Sequence, residues 1–119
     1  MEYLNYIIPI ILVLFLINKF MPAKGVRQIT TAELKRELNK KDVQLIDVRT
    51  PGEYRSNHIK KFKNIPLHEL SNKVNHLTEE KEVVVICQSG MRSKKATKML
   101  KKLGFEKVTN VKGGMSAWH

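Results

Sequence analysis

The chain holds one cysteine, Cys87, which opens the run Cys87-Gln88-Ser89-Gly90-Met91-Arg92-Ser93. A cysteine thiolate is a strong nucleophile. Three residues on, Gly90 gives the backbone the freedom that a tight loop needs. Arg92 adds a permanent positive charge and a fork of donors suited to an oxyanion. The main-chain N–H groups of Gln88, Ser89, Gly90, Met91 and Arg92 then form a cradle for an anion, with the nucleophile at its base. A lone cysteine is more often a buried packing residue that ends a strand. Glycine and arginine at these spacings, followed by a strong helix, favour the chemical reading.

The residues alone leave the bound group open among sulfur, phosphate and arsenate. Cysteine phosphatases have the pattern Cys-x5-Arg, whereas four residues separate Cys87 from Arg92 here. The shorter ring suits a smaller group, such as one persulfide sulfur. Two readings stand beside sulfur transfer: a cysteine-dependent phosphatase or arsenate reductase, and a membrane-tethered module that binds without catalysis. A redox relay has less support, because no second cysteine is present to resolve a mixed disulfide. No spacing of His68, His76 or His119 suggests a metal site.

Positioning such a loop requires a strand before it and a helix after it. Val83 to Ile86 is the most hydrophobic stretch of the domain and is expected to be the central strand. From Ser93 to Leu103, Ala96, Met99, Leu100 and Leu103 share one face of a helix, with lysines opposite and Gly104 as the stop. Cys87 thus stands at a strand end facing a helix N-terminus, where free N–H groups and the helix dipole favour an anion. Val43 to Val48 predicts a second buried strand, which brings Asp47 and Arg49 to its C-terminal end. Asp47 is expected to hold neighbouring backbone and Arg49 to pair with a carboxylate, both in support of the loop. Thr30 with Glu33, and Thr50 with Glu53, are capping boxes that start two further helices. Leu67, Leu70, Val74 and Leu77 mark another helix, Asn64 to Pro66 a short extended piece, and Lys107 to Val111 a last strand. His58 is expected to satisfy local backbone, and Tyr54 and Trp118 to pack. Strands alternating with helices predict an α/β domain in three layers, a central parallel sheet flanked by helices. Sites in such sheets form outside the carboxyl ends of the strands, where Asp47 and Cys87 both lie.

Residues 3–20 read as a transmembrane helix. They are apolar apart from Asn5, Asn18 and Lys19, and eighteen helical residues would span about 27 Å. Residues 21–26 read as a linker and 27–119 as the catalytic domain. Met1-Glu2 and Met21-Pro22-Ala23-Lys24 make a poor signal peptide. Lys19, Lys24 and Arg27 follow the helix and no basic residue precedes it, which predicts a single-pass membrane protein with its C-terminal domain in the cytoplasm. The formal net charge of +11 comes from 22 basic against 11 acidic residues spread along the chain. Without interleaved aromatics or a zinc spacing, that charge reads as a solvated surface and no nucleic-acid partner is expected.

Taken in order, four segments resemble the single-domain rhodanese family: Asp47-Val48-Arg49-Thr50-Pro51-x-Glu53-Tyr54, His58-Ile59 with Asn64-Ile65-Pro66, the Cys87 to Ser93 loop, and Asn110-Val111-x-Gly113-Gly114-Met115-x-x-Trp118. The resemblance runs from about Gln28 to His119. It implies a sulfurtransferase, needing no metal or organic cofactor, in which a donor such as thiosulfate gives its sulfane sulfur to Cys87. The N–H groups of Gln88 to Arg92 would then hold the persulfide until a thiol or cyanide-like acceptor takes the sulfur. The chain departs from the family's frequent His-Ile-x-Gly-Ala at Lys61-Phe62, so a different local turn is expected there.

Overall fold

The computed structural model describes residues 2–20 and 24–119. Five parallel strands form one sheet in the order β1-β5-β4-β2-β3. They are β1 (Val26–Ile29), β2 (Val43–Asp47), β3 (Lys63–Asn64), β4 (Glu82–Ile86) and β5 (Val108–Val111). The α-helices are α1 (Leu4–Phe20), α2 (Thr31–Glu37), α3 (Pro51–Ser56), α4 (Leu70–Lys73) and α5 (Met91–Lys102).

The alternation along β4 divides the core between two faces. Val83, Val85 and Cys87 pack with Ile46, Val48, Leu70, Ala96, Leu100 and Phe105 on the α4–α5 side. Val84 and Ile86 pack with Ile29, Leu34, Phe62, Val111 and Met115 on the α2 side. Covered on both faces, β4 carries no polar residue between Val83 and Ile86, as a central parallel strand requires.

Both capping boxes form. Thr30 Oγ1 accepts from the Glu33 N–H and Thr50 Oγ1 from the Glu53 N–H, and each glutamate reaches back to its cap. These caps fix where α2 and α3 begin, so α3 starts directly after the β2 end.

Four expectations are corrected. Val26 belongs to β1 and not to a linker, and Met21 to Ala23 of the expected linker lie outside the described residues. The segment from Leu67 to His76 is not one helix: 3₁₀ turns at Leu67–Glu69 and Val74–His76 flank the single α-turn of α4. At the Lys61 position the turn is the one glycine favours: Lys61 adopts φ +83°, and Phe62 behind it is buried.

The fourth concerns the N-terminal span. Helix α1 has 17 residues with Pro9 inside it, about 25 Å along its axis against a hydrocarbon core of about 30 Å. Asn5, Asn18 and Lys19 lie within the helix, so its uncharged apolar run covers only Tyr6 to Ile17. Among the described residues no helix is long and apolar enough to cross a membrane.

Candidate active site

The carboxyl ends of β2 and β4 are neighbours, with Asp47 registered against Ile86. Val48 N–H donates to the Ile86 carbonyl at 3.0 Å and extends that pairing beyond the strands. Asp47 and Cys87 therefore end side by side, and both are fully buried.

Cys87 starts a turn whose last residue, Gly90, is the N-cap of α5 at φ +105°. That left-handed backbone turns the Gly90 N–H back onto the Cys87 Sγ at 2.9 Å. The thiol faces Ser93 Oγ at 3.4 Å, and the Ser93 hydroxyl donates to the Gly90 carbonyl at 3.1 Å. The sulfur thus sits beneath the first turn of a 12-residue helix with a main-chain donor aimed at it.

The rear of the loop is held by the last segment of the chain. Met115 N–H donates to the Cys87 carbonyl at 2.8 Å, and Ser116 N–H to the Gln88 carbonyl at 2.9 Å. The approach is so close that a Cβ on Gly114 would stand 2.2 Å from the Cys87 oxygen. A glycine is required there on steric grounds, and its φ of +55° adds to the requirement.

Asp47 and Arg49 form the frame beside the loop. Asp47 Oδ1 accepts from the Arg49 backbone N–H and from Nε, both at 3.0 Å, while Oδ2 accepts from Nη2 at 2.9 Å. The guanidinium also donates to the Asn57 carbonyl and, at 3.2 Å, to Gln88 Oε1. Gln88 in turn reaches Ser116 Oγ through Nε2 at 3.3 Å. Its side chain thus braces the loop from the side, and only its backbone is left to line a cradle. Asn64 Nδ2 closes the frame by donating to the carbonyls of Asp47 and Arg49 at 2.9 and 3.0 Å. His58 stacks on Tyr54 at 3.8 Å between ring centroids and points Nδ1 at the Tyr54 carbonyl.

Arg92, in the first turn of α5, makes a two-point pair with Glu53, Nη1 to Oε1 at 2.6 Å and Nη2 to Oε2 at 2.9 Å. Those bonds, helped by the Thr50 N–H and hydroxyl, hold the Glu53 carboxyl down to about 2 against the opposing effect of its partial burial. Glu53 raises Arg92 in return, and the charges of Cys87 and Asp47 act in the same direction. The guanidinium is therefore within electrostatic reach of the sulfur while its outer side remains a third exposed.

Two participants were not assigned a site role from sequence. Ser93 had a local signal, three residues after the loop glycine, which is the spacing for a hydroxyl bonding back to a cap carbonyl. Glu53 had none, because its partner lies 39 residues away. Among the described residues no group of three or more His, Cys, Asp or Glu side chains is placed to hold a metal ion.

The structure thus brings together a strand-end cysteine, a glycine-capped helix and the Gly-Gly segment behind it. The model of the rhodanese-like domain matches residues 30–119. The chain belongs to the rhodanese-like domain family. A rhodanese-like domain protein of Staphylococcus aureus has a solved structure that superposes with a TM-score of 0.74 at 36% identity, covering 79% of this chain and 92% of that one. A sulfurtransferase of Allochromatium vinosum is 33% identical over 94 residues, 78% of this chain and 88% of its own. The putative sulfur carrier protein YrkF of Bacillus subtilis is 37% identical over 97 residues, 81% of this chain but 52% of its own, so the present rhodanese-like domain spans about half of that protein. Sulfur transfer is the general reaction these relationships support for the domain.

Proposed function

We propose that this rhodanese-like domain moves sulfane sulfur from a donor such as thiosulfate to a thiophilic acceptor through a persulfide on Cys87. The observation that carries the reading is the Gly90 N–H at 2.9 Å from the sulfur, at the head of α5. The Cys87 thiolate attacks the outer sulfur of thiosulfate. A bond forms from Sγ to that sulfur, the sulfur–sulfur bond of the donor breaks, and its electron pair leaves on sulfite. A thiol or cyanide-like acceptor then attacks the outer sulfur and returns the electron pair to Sγ. The sulfur has no exposed surface in this state, so the loop must open to admit a donor.

Incubated with thiosulfate, the full chain is expected to gain about 32 Da by mass spectrometry, one sulfur atom, and Cys87→Ser to gain none. Equal masses in the two treated proteins would overturn the reading. We also propose that the domain works on the cytoplasmic side, a reading supported by its single cysteine, which suits a reducing compartment. A thiol-modification assay on cells, with and without permeabilisation, tests this.

A further inference from the structure

No residue of α1 belongs to either face of the core. From Tyr6 to Ile17 the helix is apolar throughout, so no polar stripe runs along it. Every large apolar side chain from Leu4 to Ile17 is between 44% and 69% exposed. Apolar surface of this extent marks a contact with lipid or with protein. One partner helix would cover one side of α1 and leave the others in water. Hydrocarbon covers every side at once, so a helix that is apolar all round favours lipid.

The second observation lies on α5. Lys94, Lys95, Lys98, Lys101 and Lys102 recur at the spacing that places residues on one side of a helix, and α5 contains no acidic residue. Gly25, just ahead of β1, lies against the Lys101 side chain: a Cβ there would stand 3.3 Å from Nζ. Only Met21, Pro22 and Ala23 separate Phe20 from Lys24, a reach of at most about 14 Å. The apolar helix is therefore joined to the domain beside the C-terminal end of the lysine stripe.

We propose that the chain docks on an anionic lipid surface, with α1 entering the hydrocarbon from one side and the lysine stripe of α5 lying on the headgroups. Neither contact requires α1 to cross the bilayer. The apolar side chains supply attraction that is indifferent to lipid charge, and each lysine near anionic headgroups adds about five-fold in affinity. Met91, 50% exposed at the first position of α5, sits on the same side one turn ahead of Lys94 and Lys95. Docking thus brings the rim of the Cys87 loop to the lipid surface. The inference stands on α1 and α5 and does not depend on sulfur transfer.

Vesicle binding and lysine footprinting of the full chain test it. The chain is expected to bind vesicles of equal parts phosphatidylcholine and phosphatidylglycerol more tightly than vesicles of phosphatidylcholine alone. Lys95→Gln, Lys98→Gln and Lys102→Gln together should weaken binding to the mixed vesicles about a hundred-fold and leave binding to phosphatidylcholine unchanged. An unchanged circular dichroism spectrum checks the fold of that variant. Leu12→Lys, in the middle of α1, should weaken binding to both kinds of vesicle. On the mixed vesicles, Lys95, Lys98 and Lys102 should be protected from acetylation, read by mass spectrometry. Lys35, on α2 across the sheet, should react as it does in solution. Equal affinity of the native chain and the triple variant, or equal reactivity of Lys98 with and without vesicles, would overturn the docking face on α5. A chain that stays off the mixed vesicles overturns the proposal outright, and its sedimentation then shows whether copies of itself cover α1 instead.

Discussion

Asp47 and Cys87 end adjacent strands, are equally buried, and are held in opposite ways. Asp47 accepts from the Arg49 backbone and from two nitrogens of its guanidinium, and Arg49 goes on to Asn57 and Gln88. Its charge is matched and its oxygens are committed. Cys87 Sγ has one main-chain donor at 2.9 Å and one hydroxyl neighbour at 3.4 Å. The first strand end builds the wall, and the second keeps an atom whose lone pairs remain available. A nucleophile held as tightly as Asp47 would be a poor one, because bonds already made must be given up on attack. The saturated contacts are placed one strand away, where they fix the loop without occupying the sulfur.

The largest expected effect tests that division directly. Asp47→Ala leaves Arg49 charged, 3% exposed and without its carboxylate, and should cost about 3–5 kcal/mol in urea denaturation. Cys87→Ala removes an acceptor of one neutral N–H and should cost about 1–2 kcal/mol, while abolishing sulfur loading. Equal losses from the two substitutions would mean that the sulfur is as much part of the frame as the ion pair.

Much of this arrangement could be read before any coordinates. The two capping boxes, the continuous run at Val83 to Ile86 and the lysine-backed face of α5 are local signals, each set by residues within one or two turns of each other. Strand β1 was not legible: Val26-Arg27-Gln28-Ile29 is four residues with mixed polarity, and it is a strand because it pairs along Val108–Val111. The N-terminal helix was legible to within one residue of its bounds, but not as too short to span: the polar residues near each end leave an apolar run shorter than a bilayer core. In the site, the place of Cys87 at a strand end, ahead of a glycine and a helix, followed from the local pattern, whereas Arg92, expected in the loop, lies in the first turn of α5. The Glu53–Arg92 pair did not follow, since it joins two helix starts that meet only when β2 and β4 are in register.

A smaller effect sharpens the comparison on the Cys87 side. At Gly114→Ala the added methyl meets the Cys87 carbonyl oxygen at 2.2 Å, and the backbone of the loop must shift to accept it. Overpacking of this kind costs about 1–3 kcal/mol. Loading of Cys87 by thiosulfate is expected to slow at least ten-fold in that variant, read as the rate of the mass gain. An unchanged rate would show that the loop tolerates displacement, and that the Gly90 N–H need not stay aimed at the sulfur.

The smallest effect concerns Glu53, where a charge pair sits at the surface instead of in the wall. Its carboxyl is held near 2 by Arg92 and Thr50, well below the unfolded value of about 4.3. A carboxylate depressed in the folded state contributes stability that is present above the unfolded value and is lost as pH falls through the folded one. The stability difference between the native chain and Glu53→Gln should therefore be constant from pH 7 to about 5.5 and shrink between about 4.3 and 2. Both side chains are about a third exposed, at 34% and 35%, so water screens the pair and the difference at pH 7 should be no more than about 1 kcal/mol. Denaturation of the two proteins at pH 7 and pH 3 measures it. A difference of 3 kcal/mol or more would place Glu53–Arg92 with Asp47–Arg49 as frame. A difference near 1 kcal/mol keeps Arg92 a lightly tethered charge, free to turn its outer side to an arriving anion.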